Sequence, residues 1–224
     1  MQILLDTANL DTIRRYNEYY NLAGVTTNPT ILAREKAPFW DLITGIREII
    51  GETKMLHVQL TAREPEELIR EAETVTSRLG RDVYLKVAVT EEGLRGIRYL
   101  KREGFRVTGT IVYSFQQAAM AASAGADYVA PYFNRMSNNG LDPAAEIRGM
   151  KSLFAMNGLP TKVLGASFKN TQQIEKTLLA GADAVTAPPE LYTAMAENAL
   201  VREAAAQFAS DWKSVYGDKR IWEL

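Results

Sequence analysis

Gly80-Arg81-Asp82-Val83-Tyr84-Leu85-Lys86-Val87-Ala88-Val89-Thr90-Glu91-Glu92-Gly93 reads as one complete strand-to-helix step. A glycine and a charged turn come first. A short run of β-branched and aromatic residues follows, as in a buried parallel strand. Thr90 stands where a helix cap belongs, with two acidic residues behind it in the first turn. Lys86 lies inside the apolar run. An amine there must enter a low-dielectric interior, where desolvation favours its neutral form, and a neutral amine attacks carbonyl carbon. The plainer reading is a strand-end lysine that snorkels to water or pairs with a carboxylate.

The same step recurs along the chain. Apolar runs lie at Ile3–Leu5, Gly24–Thr26, Leu56–Leu60, Val83–Val87, Val107–Ile111, Tyr128–Tyr132, Lys162–Ala166 and Ala184–Ala187, each followed by a helical segment. Gly24, Gly51, Gly80, Gly104, Gly125, Gly158 and Gly181 lie shortly before or at the start of most of them, where a helix can end cheaply. Thr61-x-x-Glu64 and Asn170-x-x-Gln173 have the spacing of capping boxes or near variants. Ala124-Gly125-Ala126-Asp127-Tyr128-Val129-Ala130-Pro131 is echoed by Ala180-Gly181-Ala182-Asp183-Ala184-Val185-Thr186-Ala187-Pro188. Eight βα units in one chain predict a single-domain (β/α)8 TIM barrel spanning residues 1–224. The rival is a doubly wound open sheet, but neither a dinucleotide glycine fingerprint nor a P-loop supports it. Residues 200–224 carry no strand. Val201–Tyr216 reads as a helix with Phe208, Trp212 and Val215 on one face, followed by the apolar-ended tail Gly217–Leu224. Such a tail calls for a surface to pack on, and a neighbouring subunit would provide one.

Composition narrows the function. At 224 residues and 46% hydrophobic, the chain can bury a large core. A formal charge of −1 with no basic stripe argues against a nucleic-acid partner. No apolar stretch approaches the ~18 residues of a membrane span, and the opening Ile3-Leu4-Leu5 lacks a signal-peptide pattern. The chain has no cysteine and one histidine, His57, so disulfides and thiolate metal sites are excluded and a catalytic zinc is not expected. A cytoplasmic enzyme without metal or cofactor is the expectation.

Active sites of barrels lie at the C-terminal strand ends. The polar residues there are Asp6, then Thr26, Thr27 and Asn28, then Gln59, Lys86, Thr110, then Tyr132, Asn134 and Arg135, then Ser167 and Lys169, and last Thr186. A ring of hydrogen-bonding groups around one apolar-flanked lysine suits iminium chemistry, in which the imine draws in electrons while an adjacent C–C bond breaks or forms. Tyr132 and Asp6 are the candidate proton carriers, with Gln59 and Thr110 able to hold a water. Asn28 and Thr26 suit substrate hydroxyls. Arg135, Ser167 and Lys169 suit an anionic group. The plain alternatives are solvated loop charges for Arg135 and Lys169 and a helix-capping carboxylate for Asp6. His57 reads as structural or pocket-lining.

Leu4-Leu5-Asp6-Thr7-Ala8, Ala23-Gly24-Val25-Thr26-Thr27-Asn28-Pro29-Thr30, Lys86-Val87-Ala88-Val89-Thr90-Glu91-Glu92-Gly93-Leu94, Tyr128-Val129-Ala130-Pro131-Tyr132-Phe133-Asn134-Arg135 and Ala166-Ser167-Phe168-Lys169 together resemble the transaldolase family, specifically its small fructose-6-phosphate aldolase-like branch. The resemblance runs nearly end to end. It implies a TIM barrel, a metal-free Schiff-base mechanism, and a homo-oligomer built from rings of five that pair as decamers. It implies Lys86 as the Schiff-base lysine, Asp6 near the reacting centre, Asn28 on substrate, Thr110 on the catalytic water, and Arg135, Ser167 and Lys169 as the anion site. Gln59, Ala130 and Tyr132 match the aldolase branch, where larger transaldolases carry glutamate, serine and phenylalanine. The chain departs from the pattern at Ala88, where proline is usual, at His57 and Thr108, where apolar residues are usual, at Phe133, and at Met136-Ser137-Asn138-Asn139. Class I cleavage or formation of a sugar phosphate such as fructose 6-phosphate is the first expectation. Transaldolase action on another anionic ketose, phosphate or sulfonate, is the alternative, and a non-catalytic sugar-phosphate-binding barrel is a third reading.

Overall fold

The computed structural model describes residues 1–224. Eight strands carry the barrel: β1 (Gln2–Asp6), β2 (Gly24–Thr26), β3 (Met55–Gln59), β4 (Tyr84–Ala88), β5 (Arg106–Val112), β6 (Tyr128–Pro131), β7 (Lys162–Gly165) and β8 (Ala184–Ala187). All pair in parallel and in sequence order, and β8 closes on β1. The helices between them are α1 (Leu10–Tyr19), α2 (Pro29–Arg34), α3 (Phe39–Ile50), α4 (Pro65–Leu79), α5 (Glu91–Arg102), α6 (Phe115–Ser123), α7 (Phe133–Asn138), α8 (Pro143–Met156), α9 (Thr171–Leu179) and α10 (Pro189–Ala196). A long α11 (Ala199–Tyr216) and a 3-10 turn (Ile221–Glu223) end the chain. The fold is the (β/α)8 barrel expected, with each strand within a residue or two of its predicted limits.

Strand alternation divides the apolar residues into two layers. Leu5, Val25, Val58, Leu85, Val87, Val107, Val129, Val163 and Val185 point outward into a continuous core under the helices. Leu4, Tyr128, Leu164 and Ala184 point inward and plug the barrel, with Met55 and Tyr84 packed on them. The plug closes the N-terminal half of the barrel, so the C-terminal end is the open one.

The sequence echo has a physical basis. Asp127 accepts a hydrogen bond from the Val107 backbone at 2.7 Å and pairs with Lys101 at 2.7 Å. Asp183 repeats this with the Val163 backbone at 2.7 Å and Lys151 at 2.7 Å. Each aspartate thus ties its turn to the preceding strand and to the helix before that strand. Gly125 and Gly181 precede them at φ of 96° and 93°, a backbone state glycine reaches at no steric cost.

Two local readings differ. Thr61 does not cap α4. Pro65 sets the first turn and Glu64 is the N-cap without a side-chain bond, while Thr61 donates its hydroxyl to Glu71 at 2.7 Å. Proline has no N–H to cap and its fixed φ suits the first helical position, so the start moves to it. Asn170 does cap α9, accepting from the Gln173 backbone at 3.0 Å, but Gln173 returns its side chain to Lys169 rather than to the cap.

α11 begins two residues earlier than predicted. None of its residues is buried, and Phe208 and Val215 are 72% and 71% exposed. Trp212 meets Tyr216 with ring centroids 4.6 Å apart and donates to the Lys219 carbonyl at 2.8 Å.

The paired aspartates carry a stability prediction. Asp127→Ala should lower unfolding free energy by about 1.5–3 kcal/mol, the range for hydrogen bonds to a charged group. Asp127→Asn, which keeps the acceptor for Val107, should lose less, and denaturant titration of the two variants gives the comparison.

Candidate active site

Lys86 occupies an inward position of β4, paired in register with Gln59 on β3 and Thr108 on β5. Outward neighbours Leu85 and Val87 anchor the strand in the core, which fixes Lys86 toward the barrel axis. Its side chain is almost wholly buried, and Nζ donates to the Thr27 carbonyl at 2.7 Å. No carboxylate pairs with it directly. Burial pushes its amine below the ordinary lysine pKa, with the Asp6 charge opposing. The lysine is therefore neither a snorkelling surface group nor a tight ion pair.

Asp6 ends β1. It caps no helix: Asn9 caps α1, accepting from the Thr12 backbone at 3.0 Å. Asp6 accepts from the Thr26 hydroxyl at 2.7 Å, and Thr26 shares a 2.6 Å hydrogen bond with Thr186. Burial pushes the Asp6 carboxyl up, while the Lys86 charge, the Thr26 bond and the Arg34 charge pull it down. Amine and carboxyl are both driven toward their neutral forms because neither has water to solvate a charge. Thr26, read from the sequence as a partner for substrate hydroxyls, instead spends its donor on Asp6.

Tyr132 follows β6 as the residue before α7, and its backbone bridges to Ala166 beyond β7. Its hydroxyl lies 3.3 Å from the Thr110 hydroxyl. Burial raises its pKa, Thr110 lowers it, and Asp6 and Tyr113 raise it further, so the phenol keeps its proton. Gln59 ends β3 and also lines a cleft of about 740 Å³ between the loops after β3 and β4, in whose wall Ala88 lies. Asn28 caps α2, accepting from the Ile31 backbone at 3.0 Å through Oδ1, which leaves its amide donors for other use.

The loops after β6 and β7 are tied together. Phe133 and Asn134 donate to the Ala166 and Ser167 carbonyls at 2.9 and 3.1 Å, and Gln173 joins both loops through the Lys169 backbone and Asn134. Ser167 sits at φ 63°, a costly conformation for a non-glycine residue that is held here by this stitching. Arg135, in α7, and Lys169, in the loop after β7, are exposed without a carboxylate partner.

Tyr113 was not among the residues read from the sequence. Its ring meets the Tyr132 ring edge-on, with centroids 5.8 Å apart. The strand pattern hides it, because β5 contains a bulge. Gly109 pairs with Val129 and Val112 with Pro131, so three steps on β5 match two on β6. Ile111 takes up the extra residue at φ 62°, a strain of about 1–3 kcal/mol for a β-branched side chain.

Below Lys86 lies a polar layer. His57 is wholly buried, with Nδ1 3.0 Å from the Thr108 hydroxyl and Nε2 without a partner. Its ring stacks on Tyr84 at 4.6 Å and meets Tyr128 edge-on at 5.6 Å. Burial, with the Lys86 charge adding to it, pushes the imidazole down to about 3. The two departures from the usual apolar pattern are thus one hydrogen-bonded pair, part of the barrel's filling rather than of its mouth.

A buried amine whose pKa is pushed down by burial, at the open end of a parallel eight-stranded barrel, points to a class: barrel enzymes that act on carbonyl carbon through lysine. The comparisons with known proteins agree. The family model for Transaldolase/Fructose-6-phosphate aldolase matches residues 3–220. A Streptococcus pneumoniae protein described as a probable fructose-6-phosphate aldolase is 40% identical over 222 residues, covering 99% of this chain and 100% of that one. A crystal structure provisionally described as a fructose-1,6-biphosphate aldolase from Coccidioides immitis superposes with a TM-score of 0.57 over 98% of this chain and 80% of that one, at 17% identity, a likeness of fold alone. The chain belongs to the transaldolase/fructose-6-phosphate aldolase family, enzymes that act through a lysine Schiff base.

His57 predicts an acid-sensitive stability. Its folded pKa lies below the unfolded value of 6.5, so its contribution is complete above pH 6.5 and is lost as pH falls toward about 3. By pH 4 the loss should reach about 3 kcal/mol. Denaturant unfolding from pH 7 to 4 should show a shallower decline for His57→Phe than for wild type; parallel curves would refute the assignment.

Proposed function

We propose that this protein is a class I aldolase that cleaves and forms a ketose phosphate, with fructose 6-phosphate as the leading substrate. The observation that carries the reading is Lys86, buried, hydrogen-bonded only to a backbone carbonyl and biased to the free amine beside Asp6. The amine adds to the ketone at C2 and water leaves, giving an iminium. The Asp6 carboxyl gives its proton to the departing hydroxyl, and the iminium then stands as a positive charge that favours the resulting Asp6 carboxylate. Asp6 then takes the C4 hydroxyl proton, the C3–C4 bond breaks into the iminium, and glyceraldehyde 3-phosphate departs. The remaining enamine takes a proton at C3 from Tyr132, by way of a water held by Thr110 and Gln59. Hydrolysis of the new iminium frees dihydroxyacetone, restores the Lys86 amine and releases the proton that reprotonates Tyr132, while Asp6 keeps the proton taken from the C4 hydroxyl.

Asn28 presents its amide to substrate hydroxyls, and Thr26 acts one step back by orienting Asp6. Arg135, Ser167 and Lys169 hold the phosphate, supported by the stitched loops that carry them. Transaldolase action differs only after the first cleavage, when the enamine attacks an acceptor aldehyde instead of taking a proton. Tyr132 next to Thr110 favours release. The polar His57–Thr108 pair lies beneath Lys86 and keeps a sulfonated or other anionic ketose in view as the alternative donor.

We also read α11 and its tail as a contact with a second copy, in a pentamer or decamer. No helix is long and apolar enough to cross a membrane. A cytoplasmic setting without nucleic-acid or metal partners fits a near-neutral chain without cysteine.

Borohydride reduction in the presence of fructose 6-phosphate should add the dihydroxyacetone unit to the Lys86 peptide, read by mass spectrometry, and Lys86→Arg should abolish turnover, because a guanidinium stays protonated. An adduct on another lysine would overturn the mechanism.

Tyr132→Phe should slow cleavage by roughly 10²–10⁴. Transfer to an added aldehyde needs no such proton, so the product ratio should move toward transfer. An unchanged ratio would remove Tyr132 from the deciding role.

A further inference from the structure

The bulge in β5 does more than accommodate an extra residue. Gly109 faces the helices: a Cβ there would meet Ala121 at 3.0 Å and Val89 at 3.1 Å. Val112 is also wholly buried in the outer core. Two outward residues three positions apart break the alternation of a regular strand, in which outward residues are two apart. Thr110 keeps its inward direction. Beyond the bulge the phase is reversed, so Val112 turns away from the barrel interior and Tyr113 turns toward the mouth. Were the same residues to run as a regular strand, with Ile111 in an ordinary ladder position, Val112 would face the site and Tyr113 would point away from it.

The bulge is clamped on both sides. The Thr110 carbonyl accepts from the Val89 backbone at 3.0 Å, and the Val112 carbonyl accepts from the Tyr132 backbone at 2.9 Å. The Tyr113 backbone donates to Gln117 at 2.8 Å, which fixes the start of α6 against the strand end. Tyr132 is therefore approached twice by one short segment. Thr110 meets its hydroxyl at 3.3 Å and Tyr113 meets its ring edge-on at 5.8 Å. The hydroxyl contact is long, and a long hydrogen bond alone constrains a ring poorly. The aromatic contact supplies the missing constraint, since edge-to-face pairs prefer a defined angle, here 69°.

We propose that Tyr113 is a positioning residue for the proton-transfer step: its ring, set at the mouth by the Thr110–Ile111 bulge, holds the Tyr132 phenol on line with Thr110. The role belongs to the ring and not to the Tyr113 hydroxyl. It rests on the reading of Tyr132 as the proton donor and adds the residue that orients it.

The test uses the full-length enzyme with Tyr113→Phe, Tyr113→Leu, Tyr113→Ala, Tyr132→Phe and the Tyr113→Ala/Tyr132→Phe double variant. Thermal unfolding, borohydride trapping at Lys86, and the ratio of released to transferred three-carbon unit are measured for each. Tyr113→Phe should match wild type within about twofold. Tyr113→Ala and Tyr113→Leu should lose at least about tenfold in cleavage while imine trapping persists, and their product ratio should shift toward transfer. The double variant should be no worse than Tyr132→Phe alone, because the two residues act through one proton transfer. Tyr113→Leu keeps bulk at the site, so it carries the test if the alanine variant does not fold. Equal losses in trapping and cleavage, additive losses in the double variant, or a Tyr113→Phe defect as large as that of Tyr113→Ala would each overturn the proposal. If Tyr132→Phe itself leaves the ratio unchanged, the underlying reading of Tyr132 fails instead.

Discussion

The desolvation of one amine organises this molecule. Lys86 is carried inside a closed barrel by a strand whose other face is fully engaged with the helices, and it cannot leave without turning Leu85 and Val87 out of the core. The barrel holds it with a carbonyl, from Thr27, rather than with a carboxylate. A carbonyl accepts a hydrogen bond from a neutral amine as well as from an ammonium. A carboxylate in direct contact would have stabilised the charge and held the amine protonated. Asp6 stands near enough to act on Lys86 electrostatically, yet its own hydrogen bond comes from Thr26. The separation keeps both groups adjustable, because each can change charge when the other does.

The rest of the interior supports that arrangement from below. Tyr84, Tyr128 and Leu164 fill the lower half of the barrel, and the His57–Thr108 pair lies between that plug and the lysine. Rings packed at 4.6 to 5.6 Å leave little freedom for the layer to shift. A charged imidazole there would have no water and would face Lys86, so the histidine stays neutral and behaves as a shaped, hydrogen-bonding filler. The unpartnered Nε2 is a real energetic cost of having a polar residue at this depth. Above the lysine the support is of another kind: the loops after β6 and β7 are joined backbone to backbone and by Gln173, so Arg135, Ser167 and Lys169 are presented from one braced platform.

α11 shows the opposite condition. It has no buried residue, and Leu200, Val201, Phe208, Val215, Ile221 and Trp222 are all more than 60% exposed. So much apolar surface on one helix and its tail exceeds what an isolated soluble chain normally leaves to water. A second copy of the chain is the covering surface that we propose for it.

What was legible in the sequence was whatever depends on local period. Alternation, glycine turns and caps marked eight strands and the helices between them, and the strand ends alone assembled Asp6, Lys86, Thr110 and Tyr132 into one ring. The repeated Ala-Gly-Ala-Asp stretch was visible too, although its ties from Asp127 to Val107 and Lys101 were not. Three things required the tertiary structure. Thr26 looked free for substrate but is committed to Asp6, because β1 and β2 are neighbours in register. His57 and Thr108 looked like two separate oddities but meet across β4, since both point inward at one level of the barrel. Tyr113 was not singled out in the sequence, where a strict period of two would put Val112 inward and turn Tyr113 away from the site. The bulge at Ile111 reverses that phase, and it is flanked by hydrogen bonds to the backbones of Val89, just beyond β4, and Tyr132, just beyond β6. Sequence period determines which residues share a face only while the strand stays regular; where the ladder takes in an extra residue, only the pairing with the neighbouring strands shows which face each later residue takes.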